Sequence, residues 1–452
     1  MHRKLFLGCL VLALIILMVA PTLAQDTTAE PTAESTVVAT AAATTAATSE
    51  ATAAATIEAT AAPTTEATAQ ATAQATSEAT TEAAAPFVFG MVLVGPQNDH
   101  GWSQAHYEAG QYVEQHVPGT KMLSFASLNP GDNPQTTLQD VVSDMVDQGA
   151  KLIFTTSDDF QNDTDPIAKN FPDVTFINDS GDHVLSGSAP SNLGNLMGKM
   201  EWTKMIAGCA AGLTTETGKI GYLGPLINNE TRRLSASAYL GARYCYEHYR
   251  PGKHADDLTF TVTWIGFWFN IPGTTLDPTE ETNTFFDNGT DIVISGIDTT
   301  EAITVAGQRK AEGQNVYAIP YDYKGACSEA PDVCLGVPYF NWGPSYVNIV
   351  KAVMGSTWKQ SWDWVAPDWS NINNPDTSAV GFVKGPALSV TASGQLDDFI
   401  KNLAAYATNP FVPESFALWT GTLNLQDGSQ LAAAGQIVQP LDVWYLKQLL
   451  QG

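Results

Sequence analysis

Phe87-Val88-Phe89-Gly90-Met91-Val92-Leu93-Val94, closed by Gly95-Pro96 and followed by a helix-like stretch from Trp102 to Val117, sets the pattern for the whole globular part of the chain. A continuous apolar run of strand length, stopped by turn residues and followed by an amphipathic segment, is how a strand buried on both faces reads. The pattern recurs at Lys151-Leu152-Ile153-Phe154, Val174-Thr175-Phe176-Ile177, Lys219-Ile220-Gly221-Tyr222-Leu223, Leu258 to Trp264, Asp291-Ile292-Val293-Ile294 and Val316-Tyr317-Ala318-Ile319. Strands alternating with helices predict parallel sheets covered on both faces. About 365 residues follow Ala85, too many for one core, so two α/β lobes are expected.

Upstream, the chain is of a different kind. His2, Arg3 and Lys4 precede an apolar run from Leu5 to Ala20, and Thr22 and Ala24 suit a signal peptidase. Residues 1–24 therefore read as an export signal cleaved before Gln25, with an uncleaved membrane anchor as the alternative. Cys9 sits too early in the apolar run for lipidation. From Gln25 to Ala85 the composition is almost entirely Ala, Thr, Glu, Ser, Gln and Pro, which offers no large apolar side chains to offset the entropy of ordering. That tract reads as a disordered linker. The expected location is beyond the cytoplasmic membrane, in a periplasm or at the cell surface, tethered if the signal stays uncut.

The formal net charge of −26 argues against nucleic acid or anionic lipid as a partner, since both need a basic surface. Beyond the signal, Cys209, Cys245, Cys327 and Cys334 make an even set in an oxidising compartment, so two disulfides are expected. Three pairings are possible. Cys327 with Cys334, stapling a short loop, and Cys209 with Cys245 are favoured. No CxxC or HxxxH spacing supports a metal site, and no cofactor is expected.

Ligands collect at the carboxyl ends of parallel strands. Polar clusters follow the expected strands at Gln97-Asn98-Asp99, Ser157-Asp158-Asp159, Asn228-Asn229-Glu230, Asp298-Thr299-Thr300 and Tyr321-Asp322-Tyr323. Aromatic residues accompany them: Trp102, Phe160, Trp268, Phe269 and Trp342. Planar ligands stack on such rings while carboxylates and amides read their edges. Enzymatic signatures are missing: no GxSxG elbow, P-loop lysine motif or helix-opening GxGxxG occurs. Asp99 with Asp322 could act as a catalytic pair if the lobes joined them, but the pair serves ligand binding equally well.

The residues also carry a resemblance. Asn98-Asp99-His100-Gly101-Trp102 through Tyr107-Glu108, Gln148-Gly149-Ala150, Ala168 to Val174, Ala207 to Gly212 with Thr217 to Tyr222, Phe267-Trp268-Phe269-Asn270, Asn288 to Asp291, Asn341-Trp342-Gly343-Pro344-Ser345-Tyr346 and Gly355 to Trp358 follow one another in order. Together they resemble the basic-membrane-protein family of ABC-transporter substrate-binding proteins, whose characterised members bind purine nucleosides or related bases. The resemblance implies a type I periplasmic-binding-protein fold, two Rossmann-like lobes joined by three crossovers and closing on a hinge, with no enzymatic activity. The first lobe is expected over 86–217 and again over about 336–358, the second over 218–335 and again over about 359–452. By resemblance Asp99, Trp102, Trp268 and Asp322 contact ligand, with Asp298 a further polar contact, and Phe160, Asn270, Asn341 and Trp342 complete the candidate set. A monomer serving an ABC permease is implied, with a nucleoside hydrolase or a ligand sensor as alternatives. Three positions depart from the family: Asp158-Asp159 replace an aromatic-glycine pair, Asn270 replaces an Asp, and a lysine is missing around Phe340-Asn341.

Overall fold

The computed structural model describes residues 85–409 and 418–451. The expected leader over 1–24, and all but the last residue of the 25–85 tract, lie outside the described residues.

The first sheet draws on β1 (Phe87–Leu93), β2 (Thr120–Phe125), β3 (Ala150–Thr156), β4 (Thr175–Asp179) and β5 (Leu193–Gly198), alternating with α1 (Trp102–His116), α2 (Leu138–Asp147), α3 (Gln161–Asn170) and the single turn α4 (His183–Ser186). The second draws on β6 (Lys219–Gly224), β7 (Thr259–Trp264), β8 (Ile292–Ser295) and β9 (Tyr317–Ile319). Around it lie α5 (Met200–Thr214), α6 (Asn229–His248), α7 (Pro278–Asp287) and α8 (Glu301–Ala311). The rest comprises β10 (Gly336–Phe340), α9 (Gly343–Met354), β11 (Trp362–Val365), β12 (Val380–Lys384), α10 (Val390–Thr408), the short pair β13 (Leu423–Asn424) and β14 (Gln430–Ala432), and α11 (Pro440–Trp444).

Strand order is β11-β5-β4-β3-β1-β2 in one sheet and β7-β6-β8-β9 in the other, every pair parallel. The apolar runs read from the sequence are their buried central strands: β1 from Phe89 and β8 throughout are shielded from solvent on both faces. β10 and β12 pair antiparallel and join the β9 side of the second sheet through bridges at Ala318–Cys334 and Asp322–Tyr339. These are the two parallel-sheet lobes that the alternation predicts.

The chain changes lobes at points other than those expected. The sequence places α5 in the first lobe, expected to end at residue 217; instead it packs along α6 in the core of the second. Glycines cause this. A Cβ at Gly208 would stand 1.8 Å from the Ala238 carbonyl oxygen, and one at Gly241 2.0 Å from that of Met205, so the two backbones touch. The Cys209–Cys245 disulfide joins these helices, and Cys327–Cys334 closes the short loop before β10. β10, expected with the first lobe, extends the second sheet, whereas β11, expected with the second, pairs with β5 at the edge of the first. The crossings fall between β5 and α5, at Asn341-Trp342, and between β11 and β12. Main-chain pairing decides these places, and a strand as short as Trp362–Val365 has no periodicity to reveal it.

Candidate functional site

The carboxyl ends of the two sheets face each other. From the first lobe, Trp102, Ser157, Asp158 and Ser180 line the space between them; from the second, Glu230, Trp268, Asp298 and Tyr321. The lobes are in contact around this space. A Cβ at Gly101 would fall 1.6 Å from the Asp298 carbonyl oxygen, which makes residue 101 a position for glycine alone. His100 pairs with Glu329, and Asn228 Nδ2 donates to Asp158 Oδ2 at 3.2 Å.

Trp102 opens α1. Its Nε1 donates to the Thr156 carbonyl at the end of β3 (2.7 Å), and its ring meets Phe340 and Trp342 edge to face at 5.2 and 5.4 Å. Asp99 holds this turn: its carboxylate accepts the backbone N–H groups of Gly101, Ser103 and Gln104, each at 2.9 Å. Those donors are among the four left open at a helix start. Burial pushes the Asp99 carboxyl up to about 6, against the pull of the three N–H groups. Asp99 is thus committed to α1, where it supports Trp102, and its charge also bears on Asp298 and Asp322.

Across the cleft, Trp268 is fixed by its carbonyl, which accepts Asp298 N–H at 2.9 Å, and its indole N–H faces the Asp159 carboxylate. Asp298 and Asp322 follow β8 and β9. Burial holds both carboxyls well above the usual range; the Asp322 charge adds to the shift of Asp298, while Lys204 opposes that of Asp322. Neither Asp322 oxygen has a hydrogen-bond partner at ordinary geometry, and its backbone sits at φ +66°. His100 (φ +55°) and Ser180 (φ +65°) share that left-handed conformation at the neighbouring strand ends. Non-glycine residues held there cost energy and gather at ligand clamps.

Sequence reasoning names Glu230 and Tyr321 only within its strand-end clusters, and Lys204 and Ser180 not at all. Lys204 is fully buried on α5, donates to the Ser295 carbonyl at 2.7 Å and lies 3.3 Å from the Tyr321 ring centroid. Burial lowers its ammonium to about 7, opposed by Asp322 and Glu230. Glu230, in the first turn of α6, is raised to about 7 by burial. A lone lysine within a helix of Ala, Gly and Met is the available signal for Lys204.

The other sequence candidates lie elsewhere. Asn270 accepts from Thr275 Oγ1 within its own turn, and Asn341 donates to the carbonyls of Pro375 and Ser378, fastening the second crossing. Phe160 lines a separate groove with Leu128 and Phe267. Trp342 is buried behind the wall, stacked on Phe340 at 4.7 Å and on His106 at 4.4 Å. Polar loop residues are consumed by their own turns, and aromatics beyond strand ends by the core beneath, so none of the four reaches the cavity. His106, Tyr346 and Asp179 form a buried hydrogen-bonded chain, both links 2.6 Å, that seats α1 against α9 and β4.

Aromatic faces from both lobes, flanked by acceptors, suit the enclosure of a planar polar molecule. Among the described residues no cluster of histidine, cysteine and acidic side chains could hold a metal ion, and no helix is long and apolar enough to cross a membrane.

Two parallel α/β lobes, crossed three times by the chain and facing each other at their strand ends, define a type I solute-binding protein. The family described as ABC transporter substrate-binding protein, PnrA-like, matches residues 87–366, and the chain belongs to it. Its members bind solutes for transporters and are not enzymes. A purine-binding protein of Brucella abortus is 27% identical over 359 residues, covering 77% of this chain and 87% of that one. A Haloferax volcanii protein named as a candidate ABC transporter glucose-binding protein is 24% identical over 273 residues, 60% of this chain and 62% of its own. Among solved structures, an ABC transporter solute-binding protein from Aeropyrum pernix K1 superimposes with a TM-score of 0.56 at 10% identity, covering 81% of this chain and all of that one.

Proposed function

We propose that this protein captures a purine nucleoside or base outside the cytoplasm, closes on it about the three crossings, and delivers it to an ABC permease. The observation that carries the reading is the wall of a single cavity built half from each lobe, with Trp102 facing the side of Trp268, Asp298 and Glu230. Contacts from both lobes favour the closed arrangement over an open one, and that differential affinity is all that closure requires. The purine-binding relative in Brucella agrees with this ligand. With the lobes in contact the space left is about 10 Å³, the size of a single water site, so entry requires the lobes to part.

A sugar is the second reading, favoured by the Haloferax relative and by carboxylates that accept hydroxyl groups as readily as ring N–H groups. Calorimetric titration with adenine, adenosine, inosine and glucose separates the two. We expect saturable binding of at least one purine, with a decrease in the radius of gyration measured by X-ray scattering. Binding of glucose alone would overturn the purine reading. Binding without compaction would overturn closure.

A further inference from the structure

Away from the cleft, a chamber of about 190 Å³ lies against the hinge. Lys199, at the first crossing, and Trp364 of β11, just before the third, line it together with Glu201 and Trp202 of α5, Tyr406 of α10 and Trp419 of the C-terminal segment. The Lys199 N–H donates to the Val365 carbonyl at 2.8 Å, which ties these two crossings together. The wall shares no residue with the cleft. Much of it, Tyr406 and Trp419 included, comes from beyond residue 366, where the family match ends. Ile437 belongs to the same wall and is 40% exposed, so the chamber is reached from solvent.

Four aromatic side chains make this wall largely apolar, yet some of its polar groups are left open. The indole N–H groups of Trp364 and Trp419 are buried and donate to nothing, and Glu201 Oε2 has no hydrogen-bond partner at ordinary geometry, the other oxygen being paired with Arg233. Buried polar groups are ordinarily hydrogen-bonded. Two donors and an acceptor left open in one wall, with the Lys199 ammonium 5.0 Å from the Trp364 ring centroid, call for a partner that both accepts and donates. The aromatic faces call for a planar one. Lys199 and Glu201 give the wall one charge of each sign, so a charged ligand of either sign meets its like there. An apolar cavity of about 150 Å³ holds a benzene ring. The space here therefore takes one ring with a polar substituent.

We infer that this chamber is a second binding site, set at the hinge rather than in the cleft, for a small uncharged aromatic amide. The amide oxygen accepts from Lys199 and the two indoles, its N–H donates to Glu201, and the ring lies among Trp202, Trp364, Tyr406 and Trp419. The inference does not rest on the purine reading of the cleft.

Calorimetric titration of benzamide, with benzoate and cyclohexanecarboxamide for comparison, against the parent protein, Tyr406→Ala and Trp419→Phe tests it. The parent is expected to bind benzamide saturably, and both comparison compounds about tenfold more weakly or worse, since one brings a charge and the other lacks a flat ring. Loss of the Tyr406 ring should weaken benzamide about fivefold and loss of the Trp419 N–H about threefold, the scale of one aromatic contact and of one neutral hydrogen bond. Absence of saturable binding, equal affinity for benzoate, or unchanged benzamide affinity in both variants overturns the site; the last would put the amide elsewhere, the cleft included. Melting temperatures of the ligand-free variants accompany the titrations. Tyr406 is half-buried, so Tyr406→Ala decides alone if Trp419→Phe lowers stability.

Discussion

Asp322 combines a left-handed backbone, complete burial and two carboxylate oxygens without hydrogen-bond partners at ordinary geometry. Asp322→Asn keeps its shape but replaces an acceptor by a donor. A ligand that donates N–H or O–H there should lose about tenfold in affinity, the scale of one hydrogen bond to a charged group. Ligand-free stability should hold or rise, because burial already opposes the charged carboxylate and the amide never ionises. Titration and calorimetry of the variant check both halves, and lowered stability with unchanged affinity would make Asp322 a packing residue. The same burial gives a pH dependence. Asp99 and Asp159 are raised to about 6 and Glu230 to about 7, so between pH 4 and 7 the folded chain binds more protons than the unfolded chain and these groups make stability fall as pH rises. Lys204, lowered to about 7, reverses the sign above that value, where the unfolded chain holds the extra proton. Between pH 5 and 7 the melting temperature of Glu230→Gln should therefore fall less, or rise more, than that of the parent; parallel curves contradict this assignment. Trp102, Trp268 and Asp298 are legible because strand ends in a parallel sheet are where ligands gather. Glu230 is legible for the same reason, in the cluster Asn228-Asn229-Glu230 after β6; Lys204 is not, because it stands within α5, away from any strand end.

The contact between α5 and α6 makes the strongest demand on single elements. Gly208→Val would drive side-chain atoms into the Ala238 carbonyl, a backbone group that cannot move aside, and should cost about 2 to 4 kcal/mol in stability. Gly394, in α10, has open space where a Cβ would stand, so Gly394→Ala should instead add about 0.5 to 1 kcal/mol through helix propensity. Urea denaturation of the two variants checks the contrast; similar shifts would mean that the helices can separate. Continuous apolar strands such as β3 and β8 announce themselves, because burial on both faces leaves an unbroken run. β2 and β11 do not: Thr120–Phe125, at a sheet edge, is half-buried without regular alternation and has no fully buried residue, and Trp362–Val365 is too short to show a period. The glycine and alanine spacing along α5 is visible in the sequence, but it fits a crossing between lobes as well as it fits close helix packing.

For the molecule as a whole, we propose that residues 25–85 act as a spacer between an export signal and the binding lobes, on the ground that their composition cannot build a core. A chain beginning at Pro86 should keep its melting temperature within about a degree and its purine affinity within twofold. Loss of either would give the tract a part in the fold. The parallel α/β class is readable from the alternation alone; which lobe owns which late segment is not, because that depends on pairings between residues far apart in sequence. β10 and β12 lie side by side in the second lobe, with Phe340 opposite Val380, while the stretch between them travels out to supply α9 and the edge strand β11 of the first. The first sheet therefore lacks its edge strand until residue 365 has been made, and the second lobe lacks β12 until residue 384. Assembly cannot finish lobe by lobe as the chain emerges: each half waits for a strand from the late stretch 362–384, and the two should form and melt as a single cooperative unit.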